Sequence, residues 1–187
     1  MSAALKLLFE DGIDGVQITT LAKRLEVTRG SFYWHFETRE DLFNALLDEW
    51  RARNTGVMLS ALDGADTLNN GIINLFEVWV DHTRFDPVLD QAVRDWGRRD
   101  DAVRESVTRE DRARVEAIAG LFTKHGYEHP ESFIRARVIY FTQISYYALG
   151  IAEPMADRKS YLDAYFQAFT GHGIDAPTRE RFNAWLA

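Results

Sequence analysis

Residues 18–42, ITTLAKRLEVTRGSFYWHFETREDL, decide how this chain reads. Ile18, Leu21, Ala22 and Leu25 recur at i, i+3, i+4 and i+7, which is one buried face of a short helix. Glu26-Val27-Thr28 interrupts that period, and Thr28 suits an N-cap for a following helix with Phe32, Tyr33 and Phe36. Thr38 caps again with Asp41 three residues on, close to a capping box. Leu42, Phe43, Leu46, Leu47, Trp50, Val57 and Met58 then describe a longer helix. Upstream, Leu5, Leu8 and Phe9 open a short helix that stops near Asp11-Gly12. Two short helices joined by three residues have the spacing of a helix-turn-helix, whose second helix offers its N-terminal side chains to the DNA major groove. Thr28, Arg29, Ser31, Tyr33, Trp34 and His35 would stand on that helix. Their hydroxyls, guanidinium and ring donors suit phosphate oxygens and base edges. Gly30 removes a side chain where a helix would approach DNA closely. A helical hairpin with a partly aromatic surface fits the same spacing.

Working outward, the composition is that of a globular chain: 187 residues, 46% hydrophobic and 27% charged, with 12 Gly and 4 Pro. Disordered, collagen-like and low-complexity classes are excluded. Without Cys there are no disulfides, zinc fingers, iron–sulfur clusters or thiol nucleophiles. The longest uncharged run, 138–152, contains Thr142, Gln143 and Ser145 and falls short of the ~18 apolar residues of a membrane helix. The first residues lack the basic start of a secretion signal, so a cytoplasmic protein with no membrane partner is expected. Net charge is −7, yet it is unevenly placed. Residues 1–50 hold 5 Lys/Arg against 9 Asp/Glu, whereas 19–39 hold Lys23, Arg24, Arg29 and Arg39 against Glu26 and Glu37, a local +2. A small basic island in an acidic chain is the footprint that matters for nucleic acid.

Helical periodicity continues to the end. A break at LDGAD (62–66) precedes Leu68, Ile72, Leu75, Phe76 and Trp79. Pro87 starts a helix with Val88, Leu89, Ala92, Val93 and Trp96, and Val103 to Phe122 carry another to His125-Gly126. Phe133 to Leu149 is apolar on nearly every face, which demands burial on all sides. Helices over 157–170 and 178–186 complete an all-α chain. No Ser-His-Asp arrangement, phosphate-cradling Gly loop or HExxH occurs. His125 and His129, with Glu128 between them, straddle a helix-to-helix turn and read as a solvated loop. No catalytic residue, metal or cofactor is therefore expected.

Residues 4–50 resemble the DNA-binding domain of the TetR family of transcriptional regulators. The resemblance rests on Leu21-Ala22, Val27-Thr28, Gly30, Phe32-Tyr33, His35-Phe36, Arg39 and Leu42 at fixed spacing. It implies a three-helix helix-turn-helix domain over 1–47 and a helical ligand-binding and dimerisation domain over 48–187. By the same resemblance Thr28, Arg29, Gly30 and Ser31 begin the recognition helix, with Arg29 the base contact. Tyr33, Trp34 and His35 follow on that helix, Tyr33 and His35 matching phosphate-binding positions. Arg39 grips the backbone at a helix N-terminus, and Thr19 and Thr20 bind the other flank. The chain departs from the family twice: Gln17 stands where Ser or Thr caps the second helix, and Glu26 replaces the usual turn Gly. The start is also short, so either the first turn lies upstream or a minor-groove arm is missing. Residues 86–126 resemble one subgroup in which a D/R-x-W segment precedes a long helix.

The resemblance implies a ligand-responsive regulator, most often a repressor, that binds a palindromic double-stranded operator as a homodimer. The alternative is a helical small-molecule- or partner-binding protein with weakened or lost DNA binding. Phe133, Tyr140, Phe141, Ile144, Tyr147, Leu149, Tyr161, Leu162, Tyr165, Phe166 and Phe169 are too many large apolar groups for one thin layer, so helices over 131–151 and 158–170 are expected at a dimer contact. A pocket for a hydrophobic or aromatic effector is expected from Phe76, Trp79, His82, Trp96, Tyr140, Gln143 and Tyr147.

Overall fold

The computed structural model describes residues 1–28, 30, 33 and 36–185. Among these every regular element is helical and no strand occurs. In chain order they are α1 (Ser2–Gly15), α2 (Ile18–Arg24), α3 (Arg39–Trp50), a π-helical segment (Arg51–Gly56), α4 (Val57–Asp63), α5 (Leu68–Val80) and α6 (Pro87–Gly97). There follow α7 (Asp101–Lys124), α8 (Glu131–Ala148), α9 (Met155–Ser160), α10 (Leu162–Thr170) and α11 (Ala176–Trp185). Gly30 and Tyr33 are also helical. The chain packs as two compact units, Met1–Gly56 with Asp86–Glu110, and Val57–Phe85 with Asp111–Ala187.

The first unit buries Leu5, Leu8, Val16, Leu21, Leu42, Leu46 and Trp50 together with Leu89, Val93, Trp96 and Val103. The division expected at 47/48 falls inside α3, and this unit instead runs to Gly56 and takes in 86–110. Shared burial is the reason, reinforced by polar ties. The Trp50 indole donates to Asp90 Oδ1 at 2.8 Å, and Arg94 Nε meets Asp90 Oδ2 at 2.8 Å, so the fully buried carboxylate is paired. From the π-helical segment, Asn54 Nδ2 donates to the Asp86 carbonyl at 2.8 Å. Asp86 in turn caps α6 by accepting from Leu89 N at 2.9 Å. Helix α1 is broken at Gly12, whose φ of 68° only glycine adopts cheaply.

The second unit is centred on Ile73, Leu75, Val78, Ile118, Phe122, Ala136, Ile139, Tyr140, Phe166 and Phe182. A Cβ on Gly71 would collide with the Leu121 side chain, so the missing side chain permits close approach of α5 to α7. The helix expected over 157–170 is two helices instead, because Tyr161 (φ −88°, ψ −3°) ends α9 and begins α10. Helix α8 is not covered on all sides within this unit. Ile134, Val138 and Phe141, at i, i+4 and i+7, are exposed. Tyr140 and Phe166 are core residues, and Tyr147 packs on that core, stacked on Phe85 at 5.5 Å with its hydroxyl donating to the Trp79 carbonyl at 3.0 Å.

Candidate nucleic-acid interface and cavity

In the first unit, local rules set the candidate contacts in place. Helix α2 ends in a Schellman motif: Val27 N donates to the Ala22 carbonyl at 3.0 Å and Glu26 N to the Lys23 carbonyl at 3.2 Å. That motif demands a left-handed residue, and Glu26 takes the role at φ 55°. A non-glycine residue there costs roughly 1–2 kcal/mol. At the other end of α2, Gln17 holds the N-cap position without a side-chain cap bond. Its amide donates to the Asp14 carbonyl at 3.1 Å instead.

Thr19 and Thr20 are exposed on the first turn of α2, and Thr28, Gly30, Tyr33 and Arg39 are exposed as well. Arg29, Ser31, Phe32, Trp34 and His35 lie outside the described residues. Arg39 opens α3 behind a full capping box, Thr38 Oγ1 accepting from Asp41 N at 3.1 Å and Asp41 Oδ2 from Thr38 N at 2.9 Å. Its guanidinium stands 4.6 Å from the Phe43 ring centre. Phe43 meets Trp96 edge-on at 5.0 Å. Trp96, expected at a pocket, thus belongs to the core of this unit and backs the ring that Arg39 rests on. The carboxylate of Glu10 holds Arg24 at 2.6 Å, so part of the basic island is already paired.

The second unit contains a cavity of about 50 Å³ between α5, α8, α9 and α10. Three expected residues line it: Phe76, Trp79 and Gln143. Tyr140 lies deeper, bonded to Arg114 and Asp111, and Tyr147 is held by Trp79 and Phe85. His82 is exposed in the loop after α5. Sequence reasoning missed Thr142, Arg158, Tyr146, Tyr165, Phe166 and Phe169 as lining, which complete the wall with Ile72, Ile139 and Leu162. A helical period shared by Gln143 and Tyr146 was the available signal on α8. Nothing marked α9, whose residues are all at least partly exposed.

The polar groups of the wall are ordered. Tyr146 donates to Glu153 Oε2 at 3.0 Å and shares a further hydrogen bond with Tyr165. That bond to Tyr165, then burial and Glu153, push the Tyr146 phenol far above its ordinary value. Arg158 lies 5.0 Å from the Tyr146 ring centre, with its Nε 3.9 Å from Glu153. Gln143 is 7% exposed, and its Nε2 has no hydrogen-bond partner among the described residues. Among the described residues no group of three His, Asp or Glu side chains has metal-binding geometry, and no helix is long and apolar enough to cross a membrane.

The family model for bacterial regulatory proteins of the tetR family matches residues 1–46. The class A tetracycline repressor protein from transposon 1721 of Escherichia coli is 44% identical over 52 residues, 28% of this chain and 24% of that one. The HTH-type transcriptional regulator AcrR of Shigella flexneri is 32% identical over 73 residues, 33% of this chain and 34% of that one. The chain therefore spans about a quarter to a third of these relatives. A transcriptional regulator of Rhodococcus sp. Rha1 shares the fold over 99% of this chain and 92% of its own, with a TM-score of 0.55 at 18% identity.

Proposed function

We propose that this chain, whose residues 1–46 match the family model for bacterial regulatory proteins of the tetR family, is a ligand-responsive transcriptional repressor that binds a palindromic operator as a homodimer. The observation that carries the reading is the first unit. A short helix, a Schellman turn and a capped third helix leave Thr19, Thr20, Thr28, Tyr33 and Arg39 exposed. Arg29 reads a base edge; Gly30, Ser31, Trp34 and His35 share the recognition segment. Tyr33, His35 and Arg39 neutralise or hydrogen-bond phosphates.

A palindrome needs two such units, and the second unit offers a surface for pairing. Ile134, Val138 and Phe141 of α8, with Leu149, Ile151 and Tyr161 beyond it, are large apolar groups left exposed. A second copy covering that stripe by α8 and α10 would form a four-helix contact. The effector enters the second unit's cavity and favours the conformation that binds operator less tightly.

Binding to DNA from the region upstream of the gene, titrated at several salt concentrations, tests the proposal. The expected result is a complex of one dimer with a two-fold site and a steep loss of affinity with salt. Binding that is absent at low salt would favour the helical ligand-binding protein that has lost DNA recognition.

A further inference from the structure

The chemistry of the cavity wall restricts what it can accept. Trp79, Phe76, Phe166 and Phe169 supply flat apolar walls. The Tyr165 and Tyr146 hydroxyls are linked to each other, and Tyr146 donates onward to Glu153, so both phenolic protons are committed. The Arg158 charge faces the Glu153 carboxylate. Thr142, which carries a hydroxyl, also lines the cavity but is partly exposed, whereas Gln143 is 7% exposed and its Nε2 has no hydrogen-bond partner among the described residues. A buried amide without an acceptor is costly, and a ligand that supplies one recovers that cost.

We infer that the cavity binds a neutral, largely aromatic molecule carrying one carbonyl-type acceptor, which receives a hydrogen bond from Gln143 Nε2. The inference rests on reading the cavity as the effector site. A carboxylate would be buried next to Glu153 against an arginine already compensated, and an ammonium would meet the Gln143 donor with a donor of its own. A plain hydrocarbon would leave the amide unpaired. At about 50 Å³ the cavity has room for a water or two, so a ligand must part its walls. Helix α9 is the wall that moves at least cost, because it buries none of its own side chains while lending Arg158 to the cavity.

The test is calorimetric titration of the full chain at neutral pH with four probes of one size: acetophenone, benzoate, benzylammonium and ethylbenzene. Acetophenone should bind about tenfold more tightly than the other three. Gln143→Leu should bring acetophenone to the level of ethylbenzene. Should Gln143→Leu fail to fold, Gln143→Met, whose thioether has no proton to donate, replaces it. Benzoate or ethylbenzene binding as well as acetophenone, an order that survives at position 143, or no binding at millimolar probe each overturns the inference. If the order holds but acetophenone leaves operator binding untouched, the cavity chemistry stands and the effector role falls.

Discussion

Arg39→Gln separates charge from geometry at the proposed DNA interface. Arg39 sits at the first position of α3, with its guanidinium 4.6 Å from the Phe43 ring centre and its backbone fixed by the Thr38–Asp41 capping box. If each subunit of a dimer places this cation on one phosphate, the variant releases two fewer counterions. The slope of log affinity against log salt should then flatten by about 1.8, since each phosphate contributes ~0.9. Between about 50 and 200 mM salt, the ratio of variant to wild-type affinity should therefore change about twelvefold. Thr38→Ala is the contrasting perturbation. It removes a cap worth about 1 kcal/mol and loosens the start of α3, but it removes no charge. Its affinity should fall by a similar factor at every salt concentration, leaving the slope alone. Fluorescence anisotropy on a labelled operator across a salt series reads both quantities. An unchanged slope in Arg39→Gln would show that this side chain does not touch phosphate, and the interface assignment at α3 would have to be abandoned.

Glu26→Gly relieves a left-handed residue and removes a carboxylate from the recognition turn, so it should raise stability by about 0.5–1 kcal/mol after the entropy cost of glycine, and should tighten operator binding. Denaturant unfolding and the same anisotropy assay check the two halves; a destabilised variant would contradict the strain argument. Val138→Glu alters an exposed residue and should leave subunit folding within ~0.5 kcal/mol, yet burying two carboxylates across a two-fold contact should yield monomers in sedimentation at micromolar concentration. A variant that remains dimeric would move the contact off this stripe. Tyr146 keeps its proton in the folded chain at a pH where the unfolded chain has lost it, so stability should be full below about 10 and decline as pH rises beyond that. In Tyr165→Phe, which removes the largest cause of the shift, that alkaline decline should be shallower in urea titrations across pH; equal declines would mean the phenol pair does not hold the proton.

The N-terminal unit was legible because its determinants are local. The i, i+3, i+4 and i+7 spacing of Ile18, Leu21, Ala22 and Leu25, the Thr38–Asp41 box and the Gly12 break each act within a few residues. Even the two departures at Gln17 and Glu26 have local structural consequences: a helix start without a side-chain cap, and a strained turn. What could not be read was which distant helix completes the core. Nothing around Asp86 and Trp96 says that 86–110 packs with α1 and α3 rather than with the rest of the chain. That information is carried by partners 40 residues apart, such as the Trp50 indole and Asp90.

The same distinction explains the second unit. Aromatic content on α5, α8 and α10 pointed to a cavity and to the proposed subunit contact, but composition cannot say which ring faces which way. Tyr147 is spent on the Trp79 carbonyl and the Phe85 ring, Phe166 on the core, and the exposed stripe falls instead to Ile134, Val138 and Phe141. Trp96 shows how far such an ambiguity reaches. Taken as a pocket wall it would govern ligand affinity, whereas against Phe43 it governs how firmly Arg39 is backed. Trp96→Ala, a loss of about 3–5 kcal/mol of packing, should thus weaken operator binding and leave probe binding in the cavity unchanged wherever the chain still folds. Trp96→Phe keeps much of the volume and lets the two readouts be compared in a folded protein. A change in probe affinity without a change in operator affinity would return Trp96 to the pocket and undo the assignment made from its contacts.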